Sequence, residues 1–225
     1  MTRAIATVNY SNFMAQNSRD SMQDAARRWG VEYFEYCEQT LPKWPDRGPN
    51  AMKTTVFRTT GFNEVMCVDA DVIISGCCPN PFEAFLNEEE FVAVVDRSTP
   101  DCQRLSWDRH TSKRPDLMCE LDHSRYFNTG FMVMRRKAHE KMMNFACDIC
   151  GESFGDPWSD QTPIVISSIL NGAKVNLVDE RWNFLAVQRF PYFMDIGKHP
   201  EGPYCLHGAG DPSRIHWLHE VKWQL

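Results

Sequence analysis

The sequence has no apolar run near the roughly 18 residues needed to cross a membrane. Its first residues lack the apolar stretch of a secretory signal, so the expected location is the cytoplasm. Positive charge is not in excess: the net charge is −6, which argues against a broad nucleic-acid-binding face. Zinc spacing is missing too. Cys147 and Cys150 stand two residues apart in a helical pattern, but no second Cys/His pair accompanies them. The nine cysteines are odd in number and mostly sit in apolar runs, as Cys67, Cys147 and Cys150 do. That is the usage of reduced thiols acting as small buried hydrophobes in a reducing compartment. Asn9-Tyr10-Ser11 matches a glycosylation sequon, which a cytosolic chain would not present to that machinery.

What is present supports a sizeable core. Of 225 residues, 43% are hydrophobic, enough for one large domain or two small ones. The most informative stretch is Glu64-Val65-Met66-Cys67-Val68-Asp69-Ala70-Asp71-Val72-Ile73-Ile74. A short apolar run of this kind reads as a buried strand. Two carboxylates at its end are not explained by packing, because an isolated buried carboxylate needs a cationic partner or a metal. At i and i+2 on an extended chain they face the same way, and Ala70 between them leaves room for a ligand. A hard divalent cation such as Mg²⁺ or Mn²⁺ suits a few carboxylate oxygens plus water and substrate phosphate. The bland reading of the same residues is a solvated turn.

The chain alternates strand and helix. Ala4–Asn9 predicts a strand, Asn17 or Ser18 caps a helix that Gly30 ends, and Val31–Cys37 predicts a second strand. Thr40–Asn50 carries three prolines and a glycine and reads as loop. Ala51–Thr60 reads as a helix, followed by the acidic strand. This order implies right-handed βαβ units, a mostly parallel sheet, and ligands beyond the carboxyl ends of the strands. Pro81–Leu86 predicts a short helix and Phe91–Val95 a strand ending at Asp96. Arg97–Arg125 is polar, with little apolar period, and reads as a long substrate-facing loop. Phe131–Met134 is a strand, Lys137–Cys150 a helix, and Ser159 caps a helix running from Asp160 to Gly172. Lys174–Val178 is a strand, and the chain beyond it reads as irregular. Within that last part His207 stands beside Gly208 and Gly210, where a backbone can press close to a phosphate.

Taken in order, these residues resemble a family. Thr7-Val8-Asn9-Tyr10, Ala51-x-Lys53, Asp69-Ala70-Asp71, Asn128-Thr129-Gly130, Asp160-Gln161 and His207-x-x-Gly210 are similar to the motifs of GT-A glycosyltransferases. Among these, the chain looks most like the retaining group that includes glycogenin and the bacterial lipo-oligosaccharide galactosyltransferases. The resemblance implies an α/β GT-A (Rossmann-like) fold, with a mixed, mostly parallel sheet flanked by helices. It implies one domain over residues 1–225, with a nucleotide-binding half at about 1–96 and an acceptor-side half at about 97–225. It implies a hexosyl- or deoxyhexosyltransferase that uses a nucleotide-sugar donor, UDP-linked by the same resemblance, and a glycan or glycoprotein acceptor.

Residue by residue, the resemblance makes Asp69, Asp71 and His207 ligands of Mn²⁺ or Mg²⁺, with the imidazole favouring Mn²⁺. It makes Thr7, Asn9 and Tyr10 contacts of the base and ribose, and Lys53 a positive charge near the phosphates or sugar. Ala70, Gly208 and Gly210 belong to the donor site. Asn128 and Gly130 face the donor sugar, and Asp160 and Gln161 flank the anomeric carbon. The family's Lys-Pro-Trp after the last glycine is absent here; the run is Asp211-Pro212-Ser213-Arg214, and Arg214 is the substitute. Two alternatives remain. A haloacid-dehalogenase-like phosphatase also ends an apolar strand in Asp-x-Asp, and Gly155-Asp156 through Asp160 imitates a second motif of that class. A non-catalytic nucleotide- or glycan-binding module of the same fold is the other.

Overall fold

The computed structural model describes residues 1–10, 14, 16–41, 49–96, 98–150, 160–185 and 202–208. The first apolar run forms β1 (Arg3–Val8), followed by α1 (Gln16–Trp29) and β2 (Glu32–Tyr36). Gly30 stops α1 with φ of 65°, a left-handed turn that costs a glycine little. Because α1 already starts at Gln16, the expected caps Asn17 and Ser18 lie inside it, and Ser18 is buried.

A 3₁₀ helix (Pro49–Thr55) then runs into α2 (Val56–Thr59), where the sequence predicts one α-helix. The hydroxyls of Thr54 and Thr55 donate to carbonyls three residues back, at 2.6 and 2.7 Å. Such local bonds, with three β-branched residues in a row, favour the tighter helix.

The remaining main elements are β3 (Glu64–Val68), β4 (Val72–Ile74), α3 (Pro81–Ala84) and β5 (Glu90–Val95). Next come α4 (Pro100–Thr111), β6 (Phe127–Arg135), α5 (Arg136–Cys150), α6 (Gln161–Leu170) and β7 (Lys174–Val178). Six strands form one sheet in the order β2-β1-β3-β6-β5-β7. All are parallel except β6, which runs antiparallel to both β3 and β5. Near-continuous apolar strands are what a sheet covered on both faces requires. Ile5, Met66, Val68, Phe131 and Val133 pack on one side with Met22, Ala25 and Ala26 of α1. Ala4, Ala6, Val65, Cys67, Met132 and Met134 pack on the other with residues of α5 and α6. Fully burying each large apolar side chain stabilises by roughly 1.5–3 kcal/mol, which offsets the cost of charges held at the sheet edge.

The structure corrects the sequence reading in three further places. Arg97–Arg125 is not a structureless loop, for α4 occupies its first half. Thr99 accepts a hydrogen bond from the Cys102 amide, and Pro100 opens the helix. Its buried face consists of Gln103, Ser106, Trp107 and His110. Three of those four are polar, which hides the helical period from an apolar-pattern reading. Next, Asp69-Ala70-Asp71 is not extended. The Val72 amide donates to the Asp69 carbonyl at 3.1 Å, so the motif is a tight turn joining β3 to β4. Last, the chain after β7 contains a 3₁₀ turn (Glu180–Asn183), β8 (Phe184–Leu185) and β9 (Cys205–His207). With β4 these make a second sheet in the order β4-β9-β8. Its strands are two or three residues long, too short to show a period of two. No helix among the described residues is long and apolar enough to cross a membrane.

Candidate active site

Parallel β1 and β3 end at the same edge of the main sheet, so Asn9, Tyr10 and the Asp69–Asp71 turn are neighbours there. The Asp69 amide donates to the Gly130 carbonyl at 3.1 Å, which pins the turn to β6. The second sheet delivers the histidine. β9 pairs antiparallel with β4, Val72 lies opposite His207, and the Gly208 amide donates to the Asp71 carbonyl at 2.8 Å. Ligand atoms of Asp69, Asp71 and His207 thereby lie within 4.8 Å of one another. His207 Nε2 is 3.2 Å from Asp71 Oδ1 and 3.3 Å from Asp69 Oδ2. Asp71 and His207 are buried, whereas the Asp69 side chain keeps 26% of its surface open.

Lys53 faces the same turn from the 3₁₀ helix. Its Nζ lies 2.6 Å from Asp69 Oδ1 and 2.5 Å from Asp160 Oδ2, with only 2% of its side chain exposed. Thr129 Oγ1 also donates to Asp160 Oδ2 at 2.8 Å. Burial alone would lower the Lys53 pKa, but Asp160 and Asp69 outweigh it and keep the ammonium charged. Burial pushes the Asp69 carboxyl up, opposed by Lys53 and His207 and reinforced by Asp71 and Asp160. Burial lowers His207, yet its bond to Asp71 and the charge of both aspartates raise it on balance. Three carboxylates thus meet one ammonium, a negative excess that a divalent cation would balance. Two carboxylate oxygens plus one imidazole suit a divalent cation.

The other expected residues are placed as follows. Thr7 is fully buried, and its Oγ1 has no hydrogen-bond partner among the described residues. Asn9 is committed internally, its Nδ2 donating to Glu35 Oε1 at 2.7 Å and its Oδ1 accepting the Met14 amide at 2.8 Å. Tyr10 packs in the core and donates to the Leu41 carbonyl at 2.6 Å, so its ring presents no open stacking face. Ala70 is likewise buried, against the apolar side of the sheet that α1 covers. Asn128 Oδ1 accepts from the Gly130 amide and from Asn183 Nδ2, each at 2.7 Å. Asp160 stands immediately before α6 but its side chain does not cap the helix, and Gln161 begins α6, buried. Gly210, Arg214, Ser159, Gly155 and Asp156, and most of the predicted Thr40–Asn50 loop, lie outside the described residues.

Two polar residues at the site have no role in the sequence reading. Thr129 holds Asp160, and Asn183 Oδ1 sits 2.9 Å from His207 Nδ1. Thr129 could have been suspected from its neighbours Asn128 and Gly130. Asn183 lies in a stretch without recognisable pattern, and only the second sheet brings it to His207.

No protein-family model matches the chain, and no curated protein does. Solved structures do. A glycosyltransferase involved in glycosylation of the major capsid of PBCV-1 is 8% identical, with 97% of this chain and 100% of that one covered and a TM-score of 0.61. The galactosyltransferase LgtC, solved with donor and acceptor sugar analogs, is 12% identical over 93% of this chain and 87% of that one, also with a TM-score of 0.61. The bifunctional glycosyltransferase WbbM is 10% identical, with a TM-score of 0.57; 93% of this chain covers 46% of that one, so this chain spans about half its length. Identities this low speak for the fold, and they agree with the mixed sheet and flanking helices: the chain has the GT-A, Rossmann-like fold of these glycosyltransferases.

Proposed function

We propose that the protein is a metal-dependent glycosyltransferase that moves a sugar from a nucleotide-sugar donor to a glycan or glycoprotein hydroxyl. The observation that carries this is the meeting of Asp69, Asp71 and His207 beside the Lys53–Asp160 pair at the carboxyl edge of a GT-A sheet. Asp69, Asp71 and His207 would hold Mn²⁺ or Mg²⁺, which when bound supplies charge neutralisation at the donor diphosphate. Lys53 fixes Asp160 by engaging Oδ2, and Thr129 engages the same oxygen, so Oδ1 is the oxygen left to meet a donor sugar. A carboxylate held this way orients sugar hydroxyls and favours an oxocarbenium-like state. Gln161 adjoins it with a carboxamide. UDP is the nucleotide we assign. Thr7 and Tyr10 stand at the carboxyl end of β1, beside the Asp69–Asp71 turn, where the nucleoside of the donor would lie. The similar solved structures lend support to the donor and acceptor classes: LgtC was solved with donor and acceptor sugar analogs, and the other glycosyltransferase is involved in glycosylation of the major capsid of PBCV-1.

We assign retention at the anomeric carbon. An inverting enzyme needs a carboxylate base about 3 Å from the acceptor hydroxyl. The nearest sequence candidate, Asp96, is buried and turned to the start of α4, where Ser98 Oγ and Gln103 Nε2 donate to its Oδ2. We further assign a single domain, with a nucleotide-binding half at about residues 1–96 and an acceptor-side half at about 97–225 that also lends His207 and Asp160 to the donor site, working in the cytoplasm. The phosphatase alternative fits less well. Its nucleophile strand should open the fold, yet the acidic turn follows the third strand, and Lys53 occupies Asp69 Oδ1.

A thermal-shift screen of nucleotide sugars with and without Mn²⁺ tests the reading, because ligand that binds only the folded state raises its stability. A UDP-sugar should stabilise the protein only with Mn²⁺ present. No shift with any nucleotide sugar would contradict the proposal.

A further inference from the structure

His207 enters the site with a defined hydrogen-bond polarity, and that polarity is imposed from a distance. The chain of bonds starts at a group whose role is fixed. The Gly130 backbone N–H can only donate, and it donates to Asn128 at 2.7 Å, so the atom it meets is the carbonyl oxygen Oδ1. The same oxygen lies 2.7 Å from Asn183, which must therefore present its NH₂ group there. The other end of the Asn183 amide is then the oxygen, and it faces His207 Nδ1 at 2.9 Å. An amide oxygen accepts and cannot donate, so Nδ1 must carry a hydrogen. Nε2, on the opposite side of the ring, faces Asp69 and Asp71.

We propose that Asn183 is a positioning residue that, with Asn128, transmits the polarity of the Gly130 amide to His207 and reserves Nε2 as the metal-binding nitrogen. Flipping Asn183 would set two oxygens against each other at Asn128, and flipping Asn128 as well would set an NH₂ against the Gly130 N–H. The relay therefore has one consistent orientation. It is also well insulated: Asn183 is 3% exposed and His207 4%, so water does not compete for either bond. A metal-bound imidazole generally needs its other ring N–H fixed in this way, since that bond sets both tautomer and ring direction. Three segments meet in the relay, β6, the 3₁₀ turn before β8, and β9, so it also ties the second sheet to the main one.

The inference rests on the reading of Asp69, Asp71 and His207 as metal ligands, and the test separates the two. Wild type, Asn183→Asp and Asn183→Leu would be compared for the ¹⁵N-coupled Nδ1–H resonance of His207 and for Mn²⁺ binding by electron paramagnetic resonance. The wild type should show a slowly exchanging Nδ1–H with or without metal. Asn183→Asp keeps an acceptor oxygen at Nδ1 and should keep the resonance, at lower stability because its other oxygen meets Asn128 Oδ1. Asn183→Leu, similar in volume, should lose it and bind Mn²⁺ about 10- to 100-fold more weakly while its remaining amide spectrum stays native. A wild-type ring with a bare Nδ1, or a Leu variant that keeps the resonance and full Mn²⁺ affinity, would overturn the relay. Should Asn183→Leu prove unfolded, the wild-type and Asn183→Asp resonances decide. A wild type that shows the Nδ1–H but binds no Mn²⁺ would uphold the hydrogen-bond relay and refute the metal reading instead.

Discussion

Gly130 offers a sharp perturbation of the site. It is not in the left-handed region, so alanine is not strained there by backbone conformation. Space alone decides. A Cβ on Gly130 would lie 2.4 Å from His207 Cε1, 2.5 Å from His207 Nδ1 and 2.8 Å from Asn128 Oδ1. Ordinary carbon contacts start near 3.4 Å, so the ring must retreat by about 1 Å or the strands must part. The imidazole has little freedom to do so. Its residue is buried in β9, opposite Val72, and both ring nitrogens face partners. Overpacking of this kind costs about 1–3 kcal/mol of stability, less if the ring swings out and more if it cannot. Either outcome moves Nε2 away from Asp69 and Asp71. Gly130→Ala should therefore lose Mn²⁺ affinity by about tenfold or more, as loss of a well-oriented ligand does. Urea unfolding and Mn²⁺ titration on the same sample measure the two effects. A variant with wild-type Mn²⁺ affinity and unchanged stability would refute the packing argument.

Lys53→Met removes the ammonium that separates Asp69 from Asp160, and leaving buried carboxylates unpaired should destabilise the fold by about 3–5 kcal/mol, measured by denaturant unfolding. Added Mn²⁺ should recover part of that loss, and a variant as stable as wild type without metal would contradict the assigned role. Asp160→Asn should cut kcat sharply while Mn²⁺ and UDP dissociation constants stay near wild type; weakened binding with normal turnover would contradict it. Burial would raise Glu35, but hydrogen bonds from Arg19, Asn9 and Tyr33 outweigh it and hold its pKa below the usual value. A carboxyl depressed in the folded state contributes stability above its unfolded pKa of about 4.3, and that contribution fades as pH falls through the lower folded value. Glu35→Gln should flatten the wild-type decline in Tm below that pH, and an unchanged Tm–pH curve would count against the cluster.

The sequence makes the centre of the main sheet legible because β1, β3 and β5 are largely apolar runs of five or six residues, buried on both faces. α1 and α5 are legible through their apolar stripes. α4 is not, because Gln103, Ser106 and His110 on its inner face find hydrogen-bond partners rather than apolar contacts. The acidic pair is visible as chemistry but not as geometry. An extended Asp-x-Asp and a tight turn both bring two carboxylates together, and only the β4–β9 pairing shows that the turn aims them at His207. Asn9 and Tyr10 stand at motif positions, and their side chains bond to Glu35 and to the Leu41 carbonyl, partners that the local sequence does not announce. Asn183 lies beyond reach of any local pattern, since its partners are 24 and 55 residues away in the chain.

The central claim is a metal-dependent sugar transfer at Asp69, Asp71 and His207. Its most direct test is release of UDP from a panel of UDP-sugars, with an oligosaccharide acceptor mixture, by wild type and by Asp71→Ala. Wild type should release UDP with Mn²⁺ and stop when EDTA is added, and folded Asp71→Ala should release none under either condition. Equal release by wild type in EDTA, or by the folded variant, would contradict the account.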